Sequence, residues 1–222
     1  MSAPGRTIVV GDIHGCYDEL LELCDKVGLN ADDRVVAVGD LIVKGEQNRE
    51  VLELFMSDPR FFSVLGNHDR ALLRRWRGDE VKLKKAQKAT RRELKPDKAR
   101  YAAYLASLPY MLNLGSHLVV HAGLRPGVAL DAQTEEDLTE LRTLGAKPQS
   151  RKGTPWYEVY EGPPTVLFGH WPAPEPRRAP HALGLDTGCV YGHRLTAYVL
   201  ETSELVSVPA RRAYDTPGRA FS

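Results

Sequence analysis

Residues 35–45 read VVAVGDLIVKG, an apolar run that ends in a Gly-Asp step and is followed closely by a lysine. A short apolar run that stops at a turn signal is typical of a buried β-strand. The pattern recurs in RTIVVGDIHG, where residues 6–10 precede Asp12, and in FFSVLGNHD, where residues 61–65 precede Asn67. Apolar residues at helical spacing separate these runs, and this alternation predicts an α/β fold with parallel strands.

The composition is that of a soluble globular protein. The 222 residues are 42% hydrophobic and 8% aromatic, and we predict one domain over residues 1–222. Apolar runs are far shorter than the roughly 20 residues of a membrane-spanning helix, and the N-terminal residues lack a signal-peptide pattern. Cys16, Cys24 and Cys189 are too scattered for a disulfide framework and form no CxxC thiolate site. We therefore expect a cytoplasmic protein with reduced thiols.

Charge is unevenly distributed, although the net charge is only +1. Residues 70–100 contain 13 Lys and Arg against 4 Asp and Glu, in a pattern typical of helices. We predict a small helical cap inserted over about residues 70–108. A basic helix is usually only a solvated face, but this stretch directly follows GNHD, so we expect it to attract anions.

Polar side chains follow five predicted strands, since the strands over 118–120 and 165–168 are followed by histidines. A single Gly-Asp step is commonly only a turn, and a lone histidine is more often structural. Parallel strands, however, bring their carboxyl ends to one edge of a sheet, where open α/β folds place their sites. The repeated pattern predicts that these side chains converge: Asp12, His14, Asp40, Asn67, His68, His121 and His170.

The predicted cluster has the composition of a metal site. Carboxylate and imidazole without thiolate suit Mn²⁺, Fe, Co²⁺ or Zn²⁺ better than Mg²⁺ or Ca²⁺. The donors are too many for one four-coordinate ion, but they suit two ions roughly 3.5–4 Å apart that share a carboxylate. We therefore expect two divalent ions, with Mn²⁺ favoured and Co²⁺, Fe, Zn²⁺ and Mg²⁺ as alternatives.

Five ordered blocks, GDIHG, GDLIVKG, GNHD, HAG and GH, resemble those of the calcineurin-like metallophosphoesterases. Within that family they are most similar to the branch of PPP-type protein phosphatases and bacterial symmetrical diadenosine tetraphosphate hydrolases. The resemblance covers about residues 7–200 and implies a β-sandwich flanked by helices. It implies one metal on Asp12, His14 and Asp40, and a second metal on Asp40, Asn67, His121 and His170.

The resemblance also implies a mechanism. Two ions lower the pKa of a shared water, and the metal-bound hydroxide attacks phosphorus while His68 acts as the general acid on the leaving oxygen. Lys44 stands where the family has Arg or Lys, so we expect it to bind the phosphate. Arg142, in LRTL, resembles a later phosphate-contacting arginine of the family, with a surface salt bridge as the alternative.

Val43 bears on the class of substrate. The protein phosphatases of the family read GDxVDRG, and their Asp before the Arg pairs with the catalytic histidine. Val43 stands at that position and cannot do so, which leaves His68 without a partner. A serine alkoxide leaves poorly without a proton, whereas a nucleoside diphosphate leaves as a stable anion. The valine therefore favours a phosphoanhydride substrate.

The C-terminal blocks FGHWPAP and LDTGCVYGHRLTAYVLE resemble those of the tetraphosphate hydrolases, with His193 in place of a usual glycine. His193 either contacts substrate or metal or lies on the surface. We expect a hydrolase that splits diadenosine tetraphosphate symmetrically into two ADP. The alternatives are a PPP-type Ser/Thr protein phosphatase, a hydrolase of polyphosphate or of a capped RNA end, and a non-catalytic polyanion-binding module.

Overall fold

The computed structural model describes residues 5–145 and 147–216 and contains two five-stranded sheets flanked by helices. The strands are β1 (Thr7–Val10), β2 (Arg34–Ala37), β3 (Phe61–Ser63), β4 (Met111–Asn113), β5 (His117–Val120), β6 (Thr165–Phe168), β7 (Arg177–Ala179), β8 (Ala182–Gly184), β9 (Arg194–Val199) and β10 (Glu204–Pro209). The α-helices are α1 (Tyr17–Lys26), α2 (Asn48–Ser57), α3 (Asn67–Arg77), α4 (Lys85–Glu93), α5 (Lys98–Ser107) and α6 (Glu135–Glu140). The predicted α/β class is confirmed.

The order of the strands places six carboxyl ends together. The first sheet runs β10-β9-β1-β2-β3 and the second runs β4-β5-β6-β8-β7. β1, β2 and β3 are parallel in the first sheet, as are β5, β6 and β8 in the second. Each parallel set therefore delivers the loops after its strands to one edge of its sheet.

The two sheets pack face to face through a shared apolar layer. Val9 and Val36 of the first sheet form one buried cluster with Val119 and Leu167 of the second. These strands read as nearly continuous apolar runs because helices cover their other faces. In α1, for example, Leu20 is fully buried in the second core layer, between helices and the first sheet.

Three helices, α3 to α5, occupy the region predicted as a cap over residues 70–108. α3 begins three residues earlier than that boundary, so Asn67 and His68 form its first turn. The helix ends at Gly78, which has the left-handed φ of 105° that is favourable at a helix C-terminus. Tyr101 of α5 is fully buried in the same core as the first sheet.

The predicted domain over residues 1–222 includes residues 1–4, 146 and 217–222, which lie outside the described residues. Within the described ranges, none of the helices combines the length and the apolar character that crossing a membrane requires.

Candidate active site

The loops after the six parallel strands bring the predicted site residues together. A cavity of about 700 Å³ opens at this edge. Most of the predicted residues line it, and His121 is fully buried directly beside Asp40. The cavity is lined by Asp12, His14, Asp40, Lys44, Asn67, His68, Arg142 and His170, among others.

Asp40 lies at the centre of the cluster. Its Oδ2 atom is 3.5 Å from the Nε2 atom of His14 and 3.5 Å from the Nε2 atom of His121. Its other oxygen, Oδ1, accepts a hydrogen bond from the backbone N–H of His68 at 2.9 Å. One carboxylate oxygen thus faces two imidazole nitrogens, which is the arrangement that a bridging ligand between two ions needs.

A second convergence point lies around Asn67. Its Oδ1 atom is 3.0 Å from His121 Nε2 and 3.2 Å from His170 Nδ1. Asp12 joins the two sheets here, because both of its oxygens accept from the backbone N–H of His170, at 3.1 and 3.2 Å. Two groups of side chains here could each hold an ion, and they share Asp40: one is His14, Asp40 and His68, and the other is Asp12, Asp40 and His121.

The histidine rings are oriented by their outer nitrogens. His14 Nδ1 donates to the Ile42 carbonyl at 3.2 Å, and His121 Nδ1 donates to the Val38 carbonyl at 2.9 Å. Such contacts fix the tautomer and leave Nε2 as a lone-pair donor facing the cluster. His170 Nε2 is buried without a hydrogen-bond partner in the described part of the chain. This donor set fits divalent ions of the Mn²⁺ to Zn²⁺ group.

Burial makes the carboxylates of the cluster unfavourable as anions. It raises the pKa of Asp12 well above the usual range, with the charges of Asp186 and Asp40 adding to the effect. It raises the pKa of Asp40 to about 7 and also raises that of Asp186. A bound cation would remove this penalty, since an opposite charge nearby favours the ionised form.

The pKa values of the buried histidines shift in the opposite direction to those of the carboxylates. Burial lowers the pKa of His14, His68 and His170 well below the usual range, and that of His121 to about 4. Imidazoles in this environment are neutral at pH 7. Neutral imidazole is the form that binds a metal, so these nitrogens need not lose protons first.

The backbone of the motifs is strained. Left-handed φ angles occur at His14 (50°), Asp40 (49°), Val43 (79°), Lys44 (77°) and His170 (66°). Such angles are unfavourable for side chains with a Cβ atom and persist where the surrounding structure enforces them, most often at functional sites.

Two motif glycines allow the carboxylates to reach their positions. A Cβ atom on Gly66 would overlap the backbone nitrogen and Oδ1 of Asp40. A Cβ atom on Gly169 would overlap Oδ1 of Asp12. The glycines of GNHD and GH are thus required for close approach between loops.

Asp69 is a structural residue that the sequence reasoning did not identify. Fully buried at the start of α3, it accepts from the backbone N–H groups of Leu41, Ile42 and Gly66 at 3.2 to 3.3 Å. Burial, with the charge of Asp40, raises the pKa of Asp69 to about 7. The side chain ties the strained loop after β2 to the helix that carries two other predicted residues.

Lys44 places a positive charge inside the cluster. Its Nζ atom is 2.7 Å from His14 Nε2 and 5.2 Å from the centre of the Tyr191 ring. Burial acts to lower the pKa of Lys44, but Tyr191 and Asp40 outweigh it, and the pKa is raised overall. The ammonium therefore remains charged next to the predicted metal ligands.

Arg142 lies in the cavity rather than on the outer surface. Its Nη2 atom donates to the His170 carbonyl and its Nη1 atom to the Gln149 carbonyl, both at 3.4 Å. Burial and the charge of Arg151 lower the pKa of Arg142. This position favours the predicted phosphate contact over the alternative of a surface salt bridge.

His68 has a partner that the sequence did not reveal. Its Nδ1 atom lies 3.4 Å from Nε2 of Gln87, which is buried on α4 of the cap region. Gln87 Oε1 accepts from the Lys84 backbone N–H at 2.9 Å, and this contact turns the amide nitrogen toward His68. The prediction that Val43 leaves His68 without a partner is therefore wrong, because a distant helix supplies one.

Val43 itself is fully buried in the core next to the site. Its backbone N–H donates to Asn48 Oδ1 at 2.7 Å, a contact that helps to hold the left-handed turn. Val43 provides no carboxylate for His68, as predicted. Gln87 offers His68 an N–H donor instead of a negative charge.

Asp186 and Tyr191 are among the cavity residues that the sequence analysis did not identify. Asp186 follows β8 and is buried, and its Oδ1 atom accepts from the Gly188 N–H at 3.1 Å. The strand-end pattern in ALGLDTG could have identified it. Tyr191 also lines the cavity, and its only signal would have been proximity to Asp186 in the sequence. His193 is exposed and lies outside the cavity. This position agrees with the expectation of a surface residue and not with contact to substrate or metal.

Comparison with known proteins agrees with this geometry. A family model for calcineurin-like phosphoesterases matches residues 5–202. A bis(5'-nucleosyl)-tetraphosphatase PrpE [asymmetrical] from Bacillus subtilis is 31% identical, with 93% of this chain and 96% of that protein covered. A symmetrical bis(5'-nucleosyl)-tetraphosphatase from Coxiella burnetii is 32% identical, with 95% and 94% covered.

Among solved structures, a candidate diadenosine tetraphosphatase superposes with a TM-score of 0.78 at 34% identity. The match covers 94% of this chain and 96% of that one. The ordered motifs, the two-sheet fold and the family match over residues 5–202 agree. The chain belongs to the calcineurin-like phosphoesterase family.

Proposed function

We propose that this chain is a dinuclear-metal hydrolase of dinucleoside polyphosphates that splits diadenosine tetraphosphate symmetrically into two ADP. The observation that carries the proposal is the cluster around Asp40, where one carboxylate oxygen lies 3.5 Å from each of two imidazole nitrogens. The names of relatives that share most of this chain support the substrate class.

Two groups of side chains would hold the ions, which we propose to be Mn²⁺. When bound, the ions supply an activated water and positive charge to stabilise the reacting phosphate. Neutral histidines and buried acids with a raised pKa fit this role. The first group is Asp12, His14 and Asp40; the second group is Asp40, Asn67, His121 and His170.

Lys44 and Arg142 are proposed to bind the non-bridging oxygens of the substrate. Both cations line the same cavity as the carboxylates. A charged N–H donor bonds a phosphate oxygen about twice as strongly as a neutral donor does. Lys44 Nζ lies 2.7 Å from His14 Nε2, so its ammonium reaches the part of the cavity where the first group of ligands lies.

His68 is proposed to stabilise the leaving oxygen. Because the amide nitrogen of Gln87 faces His68 Nδ1, that nitrogen acts as an acceptor and the ring proton is on Nε2. A neutral imidazole can donate a hydrogen bond to a leaving nucleoside diphosphate. It protonates a serine alkoxide poorly, and this difference supports an anhydride substrate over a phosphoprotein.

Cations occur at both ends of the ligand cluster. Lys84 and Lys85 reach the cavity from the cap side, next to Gln87, whereas Arg142 and Arg151 reach it from the loop after α6. This arrangement supports a substrate with phosphate groups on both sides of the attacked phosphorus. Symmetrical cleavage of a tetraphosphate meets that condition.

Asymmetrical cleavage to ATP and AMP is a second candidate. Relatives from Bacillus subtilis and Oceanobacillus iheyensis that carry the asymmetrical name align over 236 positions. The alignment to the symmetrical relative from Coxiella burnetii needs 275 positions, so that protein has more inserted residues relative to this chain. The attacked phosphorus, not the metal centre, distinguishes the two reactions.

A substrate panel tests the proposed class. Metal-free protein would be loaded with Mn²⁺ and assayed with diadenosine tetraphosphate, a phosphoserine peptide, polyphosphate and a capped RNA end. We expect the dinucleotide to have the highest kcat/KM, and Asp40→Asn to abolish turnover of every substrate. Faster turnover of the phosphopeptide would instead establish a protein phosphatase.

A cytoplasmic location is part of the proposal. Cys16, Cys24 and Cys189 are free thiols, as expected in a reducing compartment. Fractionation of cells that express the chain at natural levels would test it, with activity expected in the cytosolic fraction.

A further inference from the structure

A second group of metal-binding side chains lies outside the catalytic cluster. Cys16, Glu19 and Cys189 each offer a ligand atom, and the three atoms all lie within 4.8 Å of one another. Each residue is at most 1% exposed. Cys16 precedes α1, Glu19 lies in the first turn of that helix, and Cys189 is in the loop after β8.

The two carboxylate oxygens of Glu19 differ in their hydrogen bonding. Oε1 accepts from the Arg211 backbone N–H at 3.0 Å and from the Tyr214 hydroxyl at 2.7 Å. Oε2 is buried and has no hydrogen-bond partner among residues 5–145 and 147–216. Buried polar atoms in folded proteins are nearly always paired, and an unpaired one indicates a missing partner.

A cation would supply that partner. Two sulfur atoms and a carboxylate within 4.8 Å of one another match the spacing of donors around one small ion. The hydroxyl of Tyr214 is a further oxygen beside the same carboxylate. An ordinary apolar core position explains two buried cysteines. It does not explain a fully buried glutamate of which one oxygen has no hydrogen-bond partner among the described residues.

We propose that Cys16, Glu19 and Cys189 form a third, structural metal site that takes a thiophilic divalent ion such as Zn²⁺. Thiolate ligands select Zn²⁺ over Mn²⁺, whereas carboxylate and imidazole accept both. On binding, each thiol loses its proton to solvent and forms a sulfur–metal bond, with no change in oxidation state. The catalytic cluster contains no thiolate, so the two kinds of site differ in chemistry.

The location indicates what the ion would do. Cys16 lies two residues after His14, and Cys189 lies three residues after Asp186. The backbone N–H of Tyr214 donates to the Val190 carbonyl at 2.9 Å, so the C-terminal segment packs on the same loop. An ion here would fasten two loops of the catalytic edge to each other and to this segment.

Cadmium absorption tests the site independently of catalysis. Protein kept in excess Mn²⁺ would be titrated with Cd²⁺ under reducing conditions, and the ultraviolet sulfur-to-cadmium charge-transfer band recorded. We expect the band to saturate at about one Cd²⁺ per chain. Cys16→Ala and Cys189→Ala should each lose most of it, and Glu19→Gln should weaken Cd²⁺ binding at least tenfold. Cadmium that displaces Mn²⁺ from the catalytic cluster gives no such band.

Cys24 provides the matched control, since it is a partly buried cysteine on α1 outside this group. Cys24→Ala should keep the full band. A wild-type protein with no charge-transfer band would overturn the proposal even if the variants fail to fold. A charge-transfer band that is lost in Cys24→Ala and kept in Cys189→Ala would also overturn the proposal. Because the readout needs no turnover, its failure is distinct from failure of the proposed hydrolase activity.

Discussion

Asp40 shows how single residues make this site. Its Oδ2 atom faces His14 and His121, while its Oδ1 atom accepts from the His68 backbone N–H. The left-handed φ of 49° and the neighbouring Gly66 are both needed for this position. The site therefore depends on small residues beside the ligands as well as on the ligands.

Gly66→Ala is expected to abolish metal binding. The added methyl group would overlap Asp40 N and Oδ1, so the carboxylate has to move. Isothermal titration with Mn²⁺ should show at least a hundredfold weaker binding. Gly78→Ala is the control: its left-handed φ of 105° is unfavourable for a residue with a side chain, but nothing lies within 4 Å of the added carbon. It should reduce stability by about 1–2 kcal/mol and leave Mn²⁺ affinity unchanged.

Metal affinity is expected to fall with pH below about 7. Burial raises the pKa of Asp40 to about 7 in the metal-free protein, and the acid has to lose its proton to bind an ion. His121, with a pKa of about 4, does not compete in this range. The Kd for Mn²⁺ should be roughly tenfold higher at pH 6 than at pH 8. Equal affinities at the two pH values would contradict this reasoning.

The sequence predicts much of the site at this scale because repeated strand-end motifs place their residues at one sheet edge. Asp40, His121 and the other predicted ligands come together as expected. Gln87 could not be predicted in the same way, since its contact with His68 depends on how a separate helix packs. The Cys16–Cys189 pair was missed because nothing in the sequence spacing joins residues so far apart.

At the scale of elements, α4 links the cap region to the chemistry. Gln87 lines the cavity beside His68, whereas Lys88, the next residue along this helix, lines a separate basic cleft. The helix begins at Lys85, directly after the backbone N–H that orients the Gln87 side chain. Its position therefore sets the orientation of the His68 ring.

Gln87→Ala is expected to lower kcat for diadenosine tetraphosphate about three- to tenfold with little change in KM, because it frees the His68 ring. Gln87→Glu should raise turnover of a phosphoserine peptide relative to the dinucleotide, since a carboxylate favours a protonated imidazole. Steady-state kinetics on both substrates measure these effects. Lys88→Ala, whose side chain lines the separate cleft, should change neither kcat for the dinucleotide nor the ratio of peptide to dinucleotide turnover. Identical losses on both substrates for Gln87→Glu would contradict the leaving-group argument.

The elements themselves were predictable where apolar patterning is strong. β1 reads TIVV and is buried along its length, and β6 reads TVLF and is buried except at Thr165, which is partly exposed. β4 and β7 have three residues each and read MLN and RRA, without a continuous apolar run. Each pairs antiparallel at the edge of the second sheet, so the neighbouring strand, rather than local sequence, makes it a strand.

At the scale of the whole molecule, the cap region and the sheets share their apolar packing. Leu94 and Tyr101 from this region lie in one buried cluster with Val51 of α2 and Ile8 of β1. A second cluster joins the two sheets. We propose on this basis that the chain is one domain in which the cap is an insertion rather than an independent unit.

A single unfolding transition is expected for the metal-free protein in urea. Far-ultraviolet circular dichroism reports all helices and strands, and tryptophan fluorescence reports Trp76 in α3 together with Trp156 in the buried cluster of the second sheet and Trp171 packed against that cluster. The two curves should coincide, as in two-state unfolding of a single domain. A separate early transition in the dichroism signal would show that the cap unfolds independently.

The central claim concerns which phosphorus is attacked, and a mixed substrate tests it most directly. Mn²⁺-loaded protein would be given adenosine-guanosine tetraphosphate, and the nucleotides separated by ion-exchange chromatography during the first tenth of the reaction. Symmetrical cleavage predicts ADP and GDP in equal amounts, with no monophosphate or triphosphate. AMP with GTP, or GMP with ATP, as the initial products would contradict it.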